Sequence, residues 1–532
     1  MKSLATNRVC QLLRSALAVA LAVSPVGVAG CGNSDANQSP TDAPVGPTDA
    51  GAMPDGNLPQ PDGNMPQPDA ASPDAAVPDA PVPTMTTIRF VHASALQGAI
   101  DIYRQNETTP IVTALAYGAT SPQIELTDGS YQFDVRVAGA AATDPAGYTS
   151  AAIAVDSSSS TTVVATGFLG SGFQLTGVVD TFTAPAAGKT HVRLMNASFF
   201  ATLAVDLGDD GTLDIASLAS GAMSDAAGID VPSGKDLTVA VRSTDFNNPR
   251  ISSFVVPGSA LADGADVYLL ATGTDAKRLR DPATAMMMTM PAPGKGSVAL
   301  VQPSPWFYLL EASPDAGAID GYIGTTKVFT NVAFSKVGTA IIVPPTDTGI
   351  TLDIRPTGAD VSTPALKSFS TGPLATGQQY LGVVSGLAAP TGTADALALT
   401  VYPDDLTLAL DNSARIRAIN VMTGVPAIDV GKFVTGPPKS ITSVDGFTGL
   451  TTGSASPAGG SLPAMTPNPG IQSAGDASQV LRFALVTPTA VSRVFLVFTG
   501  VWTPTGAQQG PHMIVVRSVV GATWSSTNVA GT

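Results

Sequence analysis

The sequence predicts an all-β protein, built as a tandem array of antiparallel β-sandwich modules after a disordered segment rich in proline and aspartate. Two landmarks, each present four times, carry this prediction. The first is an apolar pair followed by aspartate, at Asp101, Asp206, Asp320 and Asp429. The second is a β-rich run that closes on Thr-Gly or Ser-Gly, at Gly167, Gly273, Gly386 and Gly500. The intervals from aspartate to glycine are 66, 67, 66 and 71 residues, and this regular spacing indicates four related modules.

Further strands recur around these landmarks. A strand with an arginine and a later polar residue precedes the aspartate in three modules, as IRFVH, VRLMN and IRAIN, with Arg89, Arg193 and Arg417. The runs YQFDVR, LTVAVR and TLDIR alternate apolar and polar residues after a turn containing glycine, which is typical of half-buried antiparallel strands. Many short strands at regular spacing predict sandwiches of about 100 residues each.

The landmarks also set the expected domain boundaries. We expect a signal peptide at 1–30, a lipidated cysteine and spacer at 31–84, and modules at 85–185, 188–281, 296–407 and 408–532. The methionine-rich segment 282–295 is flanked by prolines and is interpreted as a linker. The fourth module lacks the middle arginine strand and carries a Gly/Ser/Pro-rich insertion at about 453–475.

The N-terminal segment predicts export and lipid attachment. A basic head, an apolar run and small residues before a cleavage point are the parts of a signal peptide. The run ends LAVSPVGVAGC at Cys31, which resembles the bacterial lipobox and implies acylation of that cysteine. A membrane-spanning helix is disfavoured because the run is shorter than ~20 apolar residues and contains Pro25 and Gly27. By resemblance to enteric lipoproteins, Gly32 in place of aspartate favours the outer membrane.

Composition changes abruptly after the cysteine. Residues 32–84 hold twelve prolines and eight aspartates but no lysine or arginine. Proline removes backbone donors and the aspartates repel one another, so we expect a solvated spacer. Without residues 1–30 the chain has 23 basic and 41 acidic residues, a balance that argues against a nucleic-acid partner.

The module sequences resemble a known family. The segments VRxxxAS, a hydrophobic-Asp-hydrophobic step, a glycine turn and an alternating Val-Arg strand resemble the family called domain of unknown function 4397. The resemblance is greatest in the first two modules and weakest in the fourth. It implies immunoglobulin-like β-sandwiches of bacterial cell-surface proteins, often in tandem, and it implies no biochemical activity.

The recurring polar residues have two interpretations. Carboxylates serve as metal ligands and as catalytic acids, but they also end strands, cap turns and pair across strands with arginine. A fold must recur in every module, whereas a catalytic site is needed only once. We therefore interpret the four landmark aspartates and the three first-strand arginines as structural positions.

No motif of a known catalytic class is visible in the sequence. A G-x-S-x-G elbow, a Gly-rich phosphate loop and a Cys-His arrangement are absent. His92, His191 and His512 lack the spacing of a zinc site. We expect no enzyme activity and no cofactor, although dispersed carboxylates of the glycosidase type leave no short motif.

One loop partly matches a calcium-binding pattern. Asp206, Asp210 and Asp214 occupy its first, fifth and ninth positions, with Gly211 at the sixth. Glycine at the third position and serine at the twelfth depart from that pattern. A tight hairpin turn explains the same residues without a metal, so both interpretations stay open.

Anchor, spacer and repeats together lead to a functional hypothesis. We expect a non-enzymatic outer-membrane lipoprotein that presents its modules at the cell surface for adhesion, matrix contact or envelope structure, with an unidentified protein or glycan ligand. The alternative is a carbohydrate-binding or carbohydrate-processing lipoprotein that uses exposed aromatic side chains. The candidates for that role are Trp306, Phe307, Tyr308 and Trp502.

Overall fold

The structure is a computed structural model whose described residues all lie within one compact unit, Asp79–Thr532. It describes residues 84–532 except 96, 245–247, 274–285, 391–395, 406–413, 444–446, 458–460, 463–467, 485–492, 507 and 519–523. The predicted signal peptide, Cys31 and the segment 32–83 of the predicted spacer lie outside these residues. Within the described part of the chain, no helix is long and apolar enough to cross a membrane.

The first two modules span Met85–Val179 and Lys189–Val301. The strands of the first are β1 (Met85–His92), β2 (Ile100–Arg104), β3 (Pro110–Leu115), β4 (Ile124–Thr127), β5 (Gly129–Tyr131), β6 (Phe133–Val137), β7 (Tyr148–Thr149), β8 (Ile153–Val155), β9 (Thr161–Phe168) and β10 (Ser171–Val179). Those of the second are β11 (Lys189–Asn196), β12 (Thr202–Leu207), β13 (Ile215–Ala219), β14 (Ile229–Pro232), β15 (Leu237–Ser243), β16 (Arg250–Val256), β17 (Asp266–Thr272), β18 (Met286–Pro291) and β19 (Ala299–Val301). A short 3-10 helix, Gly258–Ala260, precedes β17.

The third and fourth modules span Trp306–Pro403 and Ala414–Ala530. The strands of the third are β20 (Trp306–Glu311), β21 (Ile319–Ile323), β22 (Thr326–Val332), β23 (Ile341–Ile342), β24 (Thr351–Pro356), β25 (Lys367–Ser370), β26 (Gln379–Ser385) and β27 (Ala398–Pro403). Those of the fourth are β28 (Ala414–Asn420), β29 (Ala427–Val434), β30 (Ser440–Ser443), β31 (Leu450–Thr451), β32 (Ser454–Ala455), β33 (Ser461–Leu462), β34 (Pro469–Ser473), β35 (Asp476–Arg482), β36 (Arg493–Thr499), β37 (His512–Ser518) and β38 (Ser525–Ala530).

Every module is a sandwich of two main sheets with a common strand order, and in the first module β5 and β8 form an additional two-stranded sheet. The front sheet, which holds the module's first strand, runs β10-β9-β1-β4, β14-β11-β17-β18-β19, β23-β20-β26-β27 and β32-β28-β36-β37-β38 in the four modules. The back sheet, which holds the landmark aspartate, runs β3-β2-β6-β7, β13-β12-β15-β16, β22-β21-β24-β25 and β30-β29-β34-β35. The predicted all-β class and sandwich architecture are confirmed.

The sheets are antiparallel with one exception in each module. The first strand pairs in parallel with the strand that leads to the glycine landmark, as β1 with β9, β11 with β17, β20 with β26 and β28 with β36. Alternation sends one set of side chains into each module's own core, such as Ile88 and Phe90 in the first.

The other face of each front sheet packs against a neighbouring module. Val91 and Val164 of the first module share one buried cluster with Met195, Tyr268 and Leu270 of the second. A second cluster joins the front sheets of the third and fourth modules. Its members include Tyr308, Leu310, Val383, Ile419, Phe495 and Trp524. The modules therefore form two face-to-face pairs, first with second and third with fourth.

This pairing explains a feature of the sequence. Strands buried on both faces are apolar throughout, whereas strands with one solvated face alternate. The strand β36, RVFLVFT, is buried at every position. The back-sheet strand β22, TKVFTNV, exposes several of its residues.

The structure corrects the expected linker at 282–295. Met286–Pro291 forms β18, which pairs antiparallel with β17, and β19 extends the same sheet. Met287 enters the core of the second module, while Met288 and Met290 enter its contact with the first. The methionines are therefore core residues, and the third module begins near Trp306 and not at 296.

The expected insertion at about 453–475 also contains module structure. Pro469–Ser473 is β34, the neighbour of β29 in the position that β6, β15 and β24 occupy in the other modules. The middle strand is thus present in the fourth module. It was missed because its sequence, PGIQS, has no terminal arginine.

Candidate functional site

Each landmark aspartate lies on the second strand of its module and accepts backbone N–H groups from nearby loops or from the neighbouring edge strand. Asp101, for example, accepts from Ala114 at 2.6 Å and from Gly139 at 2.9 Å. The corresponding donors are Asp210 and Gly211 for Asp206, Asn331 and Gly358 for Asp320, and Gly449 for Asp429. The glycine donors have φ between 64° and 93°, a conformation that other residues rarely adopt. The aspartates hold these loops against the back sheet.

The calcium-loop candidates do not converge on one point. Asp206 is fully buried and pairs with Arg242 at 2.8 Å. Asp210 accepts the N–H of Thr212 at 2.8 Å, and Asp214 accepts that of Leu207 at 2.7 Å. Among the described residues, no group of three or more His, Cys, Asp or Glu side chains could hold a metal ion. The geometry is that of a hydrogen-bonded turn.

Asp320 has the densest set of donors. Burial acts to raise its pKa, but hydrogen bonds from the Asn331 N–H, Lys327 Nζ, the Gly358 N–H and the Thr357 hydroxyl outweigh burial and lower that pKa to about 2. Lys327 Nζ lies 2.7 Å from Oδ2. Asp320 is therefore ionised in the folded module at neutral pH.

Sequence analysis offered pairing with arginine as one role of the landmark aspartates. The first-strand arginines do not make this pair. Arg89, Arg193 and Arg417 lie on the front sheets, on the face turned to the neighbouring module. The middle-strand arginines Arg136, Arg242 and Arg355 occupy equivalent places in the sequence. Among the described residues, only Arg242 bonds to the landmark aspartate of its own module. Arg136 donates to the carbonyl of Asp144 at 3.0 Å instead.

A half-buried aspartate joins the first module to the second. Asp180 follows β10 and accepts hydrogen bonds from the hydroxyls of Thr162 at 2.8 Å and of Tyr268 at 2.6 Å. Arg193 of the second module donates to the carbonyl of Val179 at 3.3 Å, and Arg89 donates to Thr162 at 2.8 Å. The contact between these modules is thus polar at its edge and apolar at its centre.

The second pair repeats this arrangement with other residues. Asp404 follows β27 and lies 3.1 Å from Arg493 of the fourth module. Arg417 donates to the carbonyl of Pro403 at 3.1 Å, as Arg193 does to Val179. Sequence analysis missed Asp180 and Asp404, because an aspartate at this position occurs in the first and third modules only. An alignment of the first module with the third would have shown an aspartate after GVV in one and after VYP in the other.

A second recurring position closes the first strand of each module. His92, Asn196, Glu311 and Asn420 occupy it, and each accepts the backbone N–H of the residue two positions later. The distances are 3.2 Å for His92, 3.1 Å for Asn196, 2.7 Å for Glu311 and 3.0 Å for Asn420. Glu311 is the one carboxylic acid among these four side chains.

The other two histidines occupy unrelated places. His191 Nδ1 lies 3.1 Å from Asp230, and His512 Nδ1 lies 3.0 Å from Oδ1 of Asn528. The three histidines lie on β1, β11 and β37, so the structure does not bring them together as ligands.

The candidate sugar-binding aromatics are mostly inside the protein. Trp306, Phe307 and Tyr308 are 5%, 0% and 2% exposed, so they do not form an exposed row. Tyr308 stacks on Trp524 of the fourth module with centroids 4.1 Å apart. Trp306 and Tyr308 also border a cavity of about 400 Å³ between the second and third modules.

Trp502 differs from those three rings. It is half-buried, and its indole N–H donates to Oε1 of Gln479. It borders a cleft of about 410 Å³ on the fourth module, together with Lys439, Ser478 and Gln479.

The fold and its recurring polar positions define an array of paired β-sandwich modules. Two stretches, residues 86–208 and 306–431, match the model of the family described as "Domain of unknown function (DUF4397)", so the chain carries tandem modules of that family. Each match starts at the first strand of one module and ends in the aspartate strand of the next.

Two further comparisons give no functional information. A search of curated proteins finds no match. The solved structure titled "The Bacillus anthracis TIE protein" is similar over 78% of this chain and 67% of that chain, at 8% identity and a TM-score of 0.11. A likeness at this level says nothing about fold or function.

Proposed function

We propose that this chain is a lipid-anchored protein of the bacterial outer membrane, held through acylated Cys31, and that it is not an enzyme. Its two module pairs serve adhesion, matrix contact or envelope structure at the cell surface. The lipid supplies the membrane contact, and the ligand is a protein or glycan surface.

This proposal rests on the structural roles of the recurring polar residues. The landmark aspartates hold loops, and Asp180 and Asp404 hold modules together, so these residues serve the architecture itself. A duplicated architecture on a tether gains avidity from weak individual contacts. The Pro/Asp-rich segment supplies that tether, with a reach of ~160 Å if extended at ~3.1 Å per residue.

Two cysteine variants test the anchor. Cys31→Ser should move the protein from the membrane fraction to the soluble fraction, because acylation needs the thiol. Cys10→Ser is the matched control and should leave it in the membrane fraction. Membrane retention of the Cys31→Ser protein would refute lipid anchoring at this residue.

Surface display and adhesion need separate measurements. Protease added to intact cells should remove the modules, and cells lacking the protein should adhere less to one another or to a matrix-coated surface. Complete protection until lysis, or unchanged adhesion after deletion, would contradict the proposed role even if the anchor is confirmed.

The Trp502 cleft favours a second, narrower function, carbohydrate binding by the fourth module. A half-exposed indole offers a flat apolar surface to a sugar ring, and the polar residues Gln479 and Lys439 border the same cleft. A feature that occurs once in a repeated array is not required by the repeated fold.

A glycan array tests this second function. Trp502→Ala should lose any glycan that the unaltered protein retains, and Gln479→Ala should weaken its binding. Lys367→Ala, on an exposed strand of the third module, is the control. Binding that survives Trp502→Ala would place the glycan elsewhere, and an array without signal would remove this function.

A further inference from the structure

Glu311 occupies a place where the other modules use an uncharged donor. His92 Nε2 lies 3.0 Å from the carbonyl of Gly98, Asn196 Nδ2 lies 2.9 Å from that of Phe200, and Asn420 Nδ2 lies 2.7 Å from that of Leu450. Burial also lowers the pKa of His92, which favours its neutral form. Three modules thus put a neutral side chain here, with one atom accepting and one donating.

The glutamate cannot reproduce this pattern as a carboxylate. Its Oε1 accepts the N–H of Ser313 at 2.7 Å. Its Oε2 is buried and has no hydrogen-bond partner among the described residues, and the side chain is fully buried. An ionised carboxylate only accepts, whereas a protonated one carries a donor. A buried charge with one hydrogen bond is strongly unfavourable.

The surrounding charges do not compensate. Burial raises the pKa of Glu311 well above its ordinary value; the Ser313 N–H acts in the opposite direction, and the negative charge of Asp315 raises it further. On the facing loop, the Lys336 carbonyl accepts the Glu311 N–H at 3.2 Å. On the adjacent strand β26, the residue paired with Glu311 is Val384, which carries no charge.

We infer that the fold holds Glu311 protonated and that its ionisation, as pH rises, loosens the third module, into whose core the side chain points with Phe307 and Leu309. The next residue, Ala312, donates its N–H to Val384 at 2.8 Å and accepts the hydroxyl of Thr499 at 2.5 Å. A charge at residue 311 draws water into the core of the third module, one residue before this junction. The third module is thereby destabilised as pH rises above the ordinary pKa of a glutamate, whereas the fourth module has the uncharged Asn420 at the corresponding position.

The sign of the effect follows from proton linkage. Above the ordinary pKa of a glutamate, the unfolded chain has lost this proton and the folded chain keeps it. Unfolding then releases a proton, so its equilibrium constant rises about tenfold per pH unit until the folded-state pKa is reached. Below the ordinary pKa both states are protonated and the effect vanishes.

Denaturant unfolding of the full chain from pH 4 to 9 tests the inference. Glu311→Gln keeps the acceptor for Ser313 and removes the ionisation. Its unfolding midpoint should match the unaltered protein at pH 4 and exceed it increasingly as pH rises. Glu125→Gln, an exposed glutamate on β4, is the matched control and should track the unaltered protein throughout.

A second variant and a direct measurement keep the inference testable if the Glu311→Gln protein does not fold. Glu311→Asn places the residue of the second and fourth modules at this position and should show the same trend. Infrared spectra of the folded protein at pH 7 should contain the carbonyl stretch of a protonated carboxyl that Glu311→Gln lacks. Its absence, or a midpoint difference that does not change with pH, would overturn the inference.

Discussion

The hydroxyl of Tyr268 in the second module donates to the carboxylate of Asp180 at the end of the first, over 2.6 Å. Burial of Tyr268, together with the adjacent Asp180, raises the pKa of that hydroxyl, so it stays a donor at any pH the protein tolerates. Because Asp180 also accepts a hydrogen bond from the hydroxyl of Thr162 in its own module, its carboxylate is hydrogen-bonded to both modules.

Removal of the Tyr268 hydroxyl should therefore weaken the first pair. Tyr268→Phe keeps the ring and deletes one hydrogen bond to a charged group, which should lower the free energy of unfolding by about 1.5–3 kcal/mol. Urea denaturation measures the change. Tyr131→Phe is the control, because its hydroxyl bonds to Thr127 at an exposed edge. Equal effects of the two variants would contradict a special role for the contact between modules.

The buried ion pair Asp206–Arg242 gives a second prediction. Asp206→Ala breaks the pair with Arg242, which keeps Asp209 as a partner, and leaves the N–H groups of Asp210 and Gly211 without their acceptor. It should lower the free energy of unfolding by about 3–5 kcal/mol. Asp210→Ala alters an exposed carboxylate of the same loop and should change it by less than about 1 kcal/mol. If the exposed residue matters as much as the buried one, the loop depends on something other than this pair.

Calcium should have no effect on this loop. Arg242 and backbone N–H groups already occupy the oxygens of Asp206, so a cation would have to displace them. We expect the same melting temperature with millimolar calcium and with chelator. A rise that Asp210→Asn abolishes would restore the calcium interpretation of Asp206, Asp210 and Asp214.

Acid should destabilise the third module through Asp320. Its folded-state pKa of about 2 lies below the ordinary value near 3.8, so its contribution is complete above that ordinary value. The contribution is lost as pH falls towards 2, since protonation releases Lys327 and the loop N–H groups. Asp320→Asn should flatten the melting temperature between pH 4 and 2, and an unchanged acid slope would show that other carboxylates set it.

The sequence predicted the module fold better than the association of the modules. Strand alternation and the recurring Asp and Gly positions are local signals, and they sufficed for an all-β sandwich array. Packing between front sheets depends on contacts such as Val91 with Tyr268, which are distant in sequence and follow no short motif. The same cause explains the methionines of β18, whose flanking prolines indicated a linker although their apolar run fits a strand buried on both faces.

The stacked pair Tyr308 and Trp524 offers the sharpest test of that association. The rings lie 4.1 Å apart at 9°, in the cluster shared by the third and fourth modules. Trp524→Ala should lower the free energy of unfolding by about 3–5 kcal/mol, because it leaves a cavity between two sheets. Trp502→Ala removes the same side chain from a half-buried site and should have a smaller effect on unfolding. Hydrogen exchange should increase in β20 as well as β36 in the Trp524→Ala protein, and exchange confined to the fourth module would mean that the paired modules fold independently.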